Sequence, residues 1–140
     1  MGIEECKPIE LPVVEDPQGN LAFAEAGTHV PFPIARAFYV YDVPAGAARG
    51  GHAHLTLEQA VFCVAGRLEA TVDDGTRRRT FALEDPRVGI YLPPMVWHDL
   101  GGFSADTVYL AFTSAPYEES DYIRDHDEYL AALRAATPSR

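Results

Sequence analysis

From Arg36 onward the chain alternates short apolar runs with turn residues, at a spacing too tight for helices. Arg36-Ala37-Phe38-Tyr39-Val40-Tyr41-Asp42-Val43 is rich in aromatic and β-branched residues and predicts a strand. Pro44-Ala45-Gly46 turns the chain, and Gly51–Leu55 follows as a strand. Gln59–Ala65 is apolar enough to be buried on both faces. Gly66 interrupts it before Arg67–Val72, and Asp73-Asp74-Gly75-Thr76 marks a hairpin leading into Arg77–Leu83. Further strands are predicted at Val88–Leu92, Val96–Leu100 and Asp106–Thr113. Eight or so short strands separated by turns predict an all-β sandwich or barrel.

The two ends read differently. Residues 1–15 form an irregular lead-in with an extended piece at Ile9–Val14, and Asp16-Pro17-Gln18-Gly19-Asn20 is a turn before a short strand at Leu21–Glu25. Beyond the barrel, Tyr122, Ile123, Tyr129, Leu130 and Leu133 recur at helical spacing. Glu118, Glu119 and Asp121 crowd the start of this stretch and Pro138 stops it, which predicts a C-terminal helix over about 118–136. The expected organisation is one domain over residues 1–140, with the barrel at about 16–114.

Composition narrows the class. The formal net charge of −10 removes a global basic footprint for nucleic acid, although a few local arginines still suffice to hold a phosphate-bearing small molecule. No apolar run has the length of a membrane span, and the first residues carry no secretory pattern. Cys6 and Cys63 are far apart and outside any metal-ligand spacing, which fits free thiols in a reducing cytoplasm.

The densest chemistry lies in Arg49-Gly50-Gly51-His52-Ala53-His54. Residues two apart on a strand share a face, so both imidazoles point to one side. Such a pair suits proton transfer or metal binding, and the spacing alone leaves both open. Arg36 sits in an apolar strand, where an unpaired charge is expensive, so a partner or ligand is expected there. Surface solvation is the expected state of Arg77, Arg78 and Arg79.

Gly46, five residues, His52-Ala53-His54, then Glu58 or Gln59 and Gly66, resembles the first motif of the cupin superfamily. Pro93-Pro94-Met95-Val96-Trp97-His98 resembles the second, with Met95 in the usual glycine place. The resemblance implies a small single-domain cupin jelly-roll barrel with its ligand in the open mouth. Metal-binding cupins use three histidines and a glutamate. His52, His54 and His98 are available, but the spacing to Gly66 puts Gln59 in the glutamate slot.

A narrower set of stretches resembles the cupin sugar-nucleotide 3,4-ketoisomerases, the FdtA-like and WxcM-like proteins of deoxyamino-sugar biosynthesis. The matching pieces are Val30-Pro31-Phe32, Arg36–Val43, Arg49–His54, Leu57-Glu58-Gln59, Asp73-Asp74-Gly75, Pro94–His98 and Asp121-Tyr122-Ile123-Arg124, all in family order. This resemblance implies an isomerase that moves the carbonyl of a dTDP-linked 4-keto-6-deoxyhexose from C4 to C3 through an enediol, without metal or redox cofactor. It implies His52 as base, with His54 shuttling a proton or binding sugar oxygens. Arg36, Arg49 and Arg124 become pyrophosphate candidates, and Tyr91 lines the barrel or stacks on the base. Phe38 replaces a family tyrosine. Gln18 and His98 hold the two positions tied to the configuration at C4, where His98 leans towards the galacto-type product. A homodimer is implied as well. Two other classes remain: a metal-dependent cupin enzyme, and a cupin that binds sugar nucleotide without turnover.

Overall fold

The structure, a computed structural model, describes residues 2–136. Twelve strands and one helix follow in order: β1 (Pro8–Glu10), β2 (Val13–Val14), β3 (Leu21–Ala22), β4 (Arg36–Val40), β5 (Arg49–His54), β6 (Gln59–Ala65), β7 (Leu68–Asp73), β8 (Arg78–Leu83), β9 (Val88–Leu92), β10 (Trp97–Gly101), β11 (Val108–Thr113), β12 (Tyr122–Ile123) and α1 (His126–Ala136). Two five-stranded sheets, ordered β1-β9-β6-β11-β4 and β12-β5-β10-β7-β8, face one another, and β2 and β3 form a separate hairpin. All the strand pairs are antiparallel. This is the expected all-β jelly roll with a C-terminal helix.

The core follows from the period-two pattern. Val61 and Cys63 of β6 meet Ala70 and Val72 of β7, Ile90 and Leu92 of β9, and Leu100 of β10 in a cluster that spans both sheets. Strand β6 is buried from Gln59 to Cys63 and emerges at Val64, so only its first five residues fit the double-sided burial expected of it. Gly89 shows how closely the sheet is filled: a Cβ there would stand 2.4 Å from the Val61 carbonyl oxygen.

Both ends depart from the expectation. Pro8–Glu10, placed by sequence in the lead-in, pairs with Val88–Ile90 and belongs to the first sheet. The helix starts at His126 rather than 118. Glu119–Asp121 is a single 3-10 turn, and Tyr122 and Ile123, which the helical periodicity had absorbed, pair with His54 and Ala53 as a strand. Asp121 explains the interruption. Its carboxylate accepts from the backbone N–H of Thr56 (3.0 Å) and of Leu57 (3.1 Å), and its carbonyl accepts from Leu55 N–H. These bonds hold residues 121–123 extended against the β5 edge. Asp125 then caps the helix by accepting from the Glu128 N–H. Arg124 therefore lies before the helix and not on it. Pro138 falls outside the described residues.

Candidate active site

Between the sheets lies a cavity of about 420 Å³. Strand β4 contributes Arg36, Phe38 and Val40, alternate residues whose shared parity points them inward, while Tyr39 between them is 66% exposed. Strands β6 and β11 add Gln59, Val61, Tyr109 and Ala111. The opposite sheet supplies Arg49, Gly50 and His52 from β5, His98 and Leu100 from β10, and Tyr122 from β12; Arg124 follows directly after.

His52 and His98 are register partners on β5 and β10. Their rings meet edge to face with centroids 4.6 Å apart. The close approach of these strands is why glycine stands at position 50: φ is +83°, and a Cβ would lie 3.0 Å from the His98 carbonyl oxygen. His54 lies 4.9 Å from His52, ring to ring, and the Tyr122 ring packs against both, at 4.9 Å from His52 and 4.4 Å from His54. Burial holds all three imidazoles below their ordinary pKa, and their mutual proximity pushes His54 and His98 down further. His54 falls to about 4. At neutral pH these are three uncharged rings, each able to present a lone pair.

His52 is the accessible member. His54 is 3% and His98 4% exposed, and only His52 and His98 border the cavity. His54 opens instead onto a smaller cavity of about 210 Å³, whose walls share only Arg36 and Tyr122 with the first. His52 and His54 share a parity and their rings touch, yet they border two neighbouring cavities, with Tyr122 as a common wall.

The three arginines reach the cavity differently. Arg36 lies over the rings of Phe38 (4.8 Å) and Tyr117 (5.5 Å), with no carboxylate paired to it among the described residues. Stacking answers the cost of its burial and leaves its donors for an anion. Arg49 donates from Nε to the Tyr109 hydroxyl at 3.0 Å. Arg124 stacks on Tyr122 and donates two bonds of 2.9 Å to Glu119. Arg77 and Arg78 are exposed as expected, and Arg77 pairs with Glu4.

Two proposed site residues stand apart. Tyr91 is on the outward parity of β9, where its hydroxyl donates to Glu58 at 2.6 Å and its ring neighbours Phe32. It does not line the histidine cavity. Gln18 is exposed in the turn before β3, its N–H bonded to Asp16, and is also absent from the cavity wall. Sequence reasoning missed Tyr109 altogether. It named Tyr122 within a motif and within the expected helix, and the helix assignment hid its role as a wall.

One nitrogen from each of His52, His54 and His98 lies within 4.8 Å of the others, close enough to share an ion. The fourth donor is the difficulty. The Glu58 carboxylate is turned to the Tyr91 hydroxyl, and Gln59 is the neighbour, its amide nitrogen 3.4 Å from His54 Nε2. Three imidazoles and an amide lack the carboxylate expected beside a divalent ion.

The profile of the FdtA, WxcM-like C-terminal family matches residues 4–134. The chain is 38% identical over 125 residues to the TDP-4-oxo-6-deoxy-alpha-D-glucose-3,4-oxoisomerase of Aneurinibacillus thermoaerophilus, covering 89% of this chain and 90% of that protein. Among solved structures, a point mutant of the QdtA 3,4-ketoisomerase of Thermoanaerobacterium thermosaccharolyticum in complex with TDP-4-keto-6-deoxyglucose superposes with a TM-score of 0.91 at 29% identity, over 96% of this chain and 98% of the other. A 3,4-ketoisomerase from Helicobacter canadensis gives a TM-score of 0.90 at 32% identity, over 93% and 98% of the two chains.

Proposed function

The chain belongs to the FdtA, WxcM-like C-terminal family, and from that premise we infer that it is a sugar-nucleotide 3,4-ketoisomerase acting on a dTDP-linked 4-keto-6-deoxyhexose. The observation that carries the reading is a neutral, accessible imidazole, His52, in a cavity also bordered by three arginines. The 4-keto group acidifies the C3 hydrogen. His52 takes that proton, O4 is protonated, and an enediol forms across C3 and C4. Loss of the O3 proton with reprotonation at C4 leaves the carbonyl on C3, so no electrons leave the sugar. Arg36, Arg49 and Arg124 offer the diphosphate its counter-charge, Arg124 by exchanging Glu119 for phosphate oxygens. Phe38 gives the sugar an apolar wall. His98, in ring contact with His52, stands where it can take part in the reprotonation at C4.

Incubation with dTDP-4-keto-6-deoxyglucose in D₂O is expected to yield the 3-keto isomer with deuterium at C4, to label C3 only in recovered 4-keto substrate, and to proceed unchanged after chelator treatment. Absence of both isomer and label refutes the isomerase; tight dTDP binding without turnover would then identify a binding protein. Loss of activity to chelator, restored by a divalent ion, would instead favour the metal-dependent enzyme.

A homodimer is proposed as the working form. Tyr39 (66% exposed) and Tyr41 (61%) present an apolar outer face at β4, and Val14 and Leu21 do so on the β2–β3 hairpin. Gln18, on that hairpin's turn, then serves a cavity only by way of the subunit contact. Solution scattering should return twice the chain mass; a monomer would contradict the proposal. Two buried free cysteines, Cys6 and Cys63, support a cytoplasmic setting. Among the described residues no helix is long and apolar enough to cross a membrane.

A further inference from the structure

His54 is the buried histidine that the reaction as written does not use, and the groups on its two sides restrict its state. On one side, Gln59 Nε2 stands 3.4 Å from His54 Nε2. An amide nitrogen only donates, so the ring nitrogen facing it must be the bare one. On the other side, His54 Nδ1 is buried without a normal hydrogen bond, and the Asp121 carboxylate oxygen Oδ2 stands 3.5 Å from it. A carboxylate only accepts, so the proton belongs on Nδ1. The carboxylate selects the tautomer, and the Gln59 amide is turned to match it.

Asp121 is anchored for this task. Its Oδ1 accepts from Thr56 N–H and Thr56 Oγ1, at 3.0 and 2.7 Å, and its Oδ2 accepts from Leu57 N–H. Gln59, at the far end, borders the cavity that holds His52, whereas His54 does not. An amide that turns its nitrogen towards His54 has its carbonyl oxygen fixed in direction as well.

We propose that Asp121 is a positioning residue: acting through His54, it fixes that ring's tautomer and thereby the orientation of the Gln59 amide at the wall of the reaction cavity. His54 is then a linking ring and not a proton shuttle, since its single lone pair is held by Gln59. This assignment rests on the isomerase reading for its kinetic consequence but not for its geometry.

The test is histidine ¹⁵N NMR on the full chain, which reads directly which ring nitrogen carries the proton, combined with steady-state kinetics. Wild-type His54 should show the Nδ1–H form. In Asp121→Asn the carboxylate charge that favours a proton on Nδ1 is gone, so the ring should shift to Nε2–H. kcat should fall by roughly tenfold or more, with KM within about twofold, as follows when an orienting carboxylate is replaced by an amide. Thr56→Val removes a bond to Asp121 while leaving the carboxylate; it should lower the melting temperature without changing the tautomer. An Nε2–H form in the wild type overturns the proposal, and so does an unchanged tautomer in Asp121→Asn, even with lost activity, because Asp121 would then act only by holding the turn. If Asp121→Asn does not fold, the wild-type tautomer decides, together with Gln59→Leu, which should move the His54 Nε2 signal towards that of an unbonded ring nitrogen; no movement refutes the link. A correct tautomer switch in a protein that turns over no keto sugar nucleotide would refute the isomerase reading and leave this arrangement standing.

Discussion

His52→Asn should reduce kcat for the keto-sugar nucleotide by roughly 10²- to 10⁴-fold, the usual worth of a positioned general base. That corresponds to about 3–5 kcal/mol of transition-state stabilisation. Among the described residues, His52 is the histidine that combines a place on the cavity wall with partial exposure; His98 shares the wall but is only 4% exposed. Burial keeps the His52 pKa below its ordinary value, which favours the form that accepts a proton. Asparagine removes the basic nitrogen yet fills much of the same space. The three arginines are untouched, so dTDP affinity and KM should stay within a few-fold of wild type, and the melting temperature should move little. Deuterium exchange at C3 should vanish together with turnover. A drop in kcat below tenfold would mean that another group takes the proton, with His98 next in line.

The separation between base and neighbour was partly legible in the sequence. Arg36 and Phe38 were site candidates through the resemblance, and their shared parity on β4 brings both to the cavity with Tyr39 outside. The glycines before the histidine pair find their reason only in the fold, where Gly50 lies against the His98 carbonyl. Gln59, not Glu58, being the residue beside the histidines followed from counting back from Gly66.

Long-range contacts were not legible. Tyr122 and Ile123 fit a helical apolar spacing as well as a strand, and only the Asp121 bonds to Thr56 and Leu57, more than sixty positions back, decide between them. Likewise Tyr91 alternates correctly along β9, but which of the two parities faces the cavity depends on how the sheets close. Local pattern specifies which residues share a face; the partner of that face is set by closure.

Acid should destabilise the protein well before its carboxylates titrate. His52, His54 and His98 all have folded-state pKa values below the ordinary 6.5, chiefly through burial. Between the folded and unfolded values the unfolded chain binds the extra protons, so stability falls as pH falls. The contribution is fully present above pH 6.5 and is lost on the way down. For His54 the window runs from 6.5 to about 4 and amounts to about 3 kcal/mol. Each of the three rings steepens the slope by up to about 1.4 kcal/mol per pH unit inside its own window. Against a typical total of about 5–15 kcal/mol this is large. Carboxylates held below their ordinary values, such as Asp74 and Glu119, begin to contribute only at lower pH. Urea unfolding between pH 7.5 and 4.5 should therefore show the midpoint dropping steadily below pH 6.5. In His54→Gln the dependence should be shallower by close to one proton, since glutamine cannot bind it. A midpoint that stays level from pH 7 to pH 5, or an equal slope in His54→Gln, would mean that the rings are not held neutral by the fold. The same neutrality that makes His52 a ready base would then have lost its physical source.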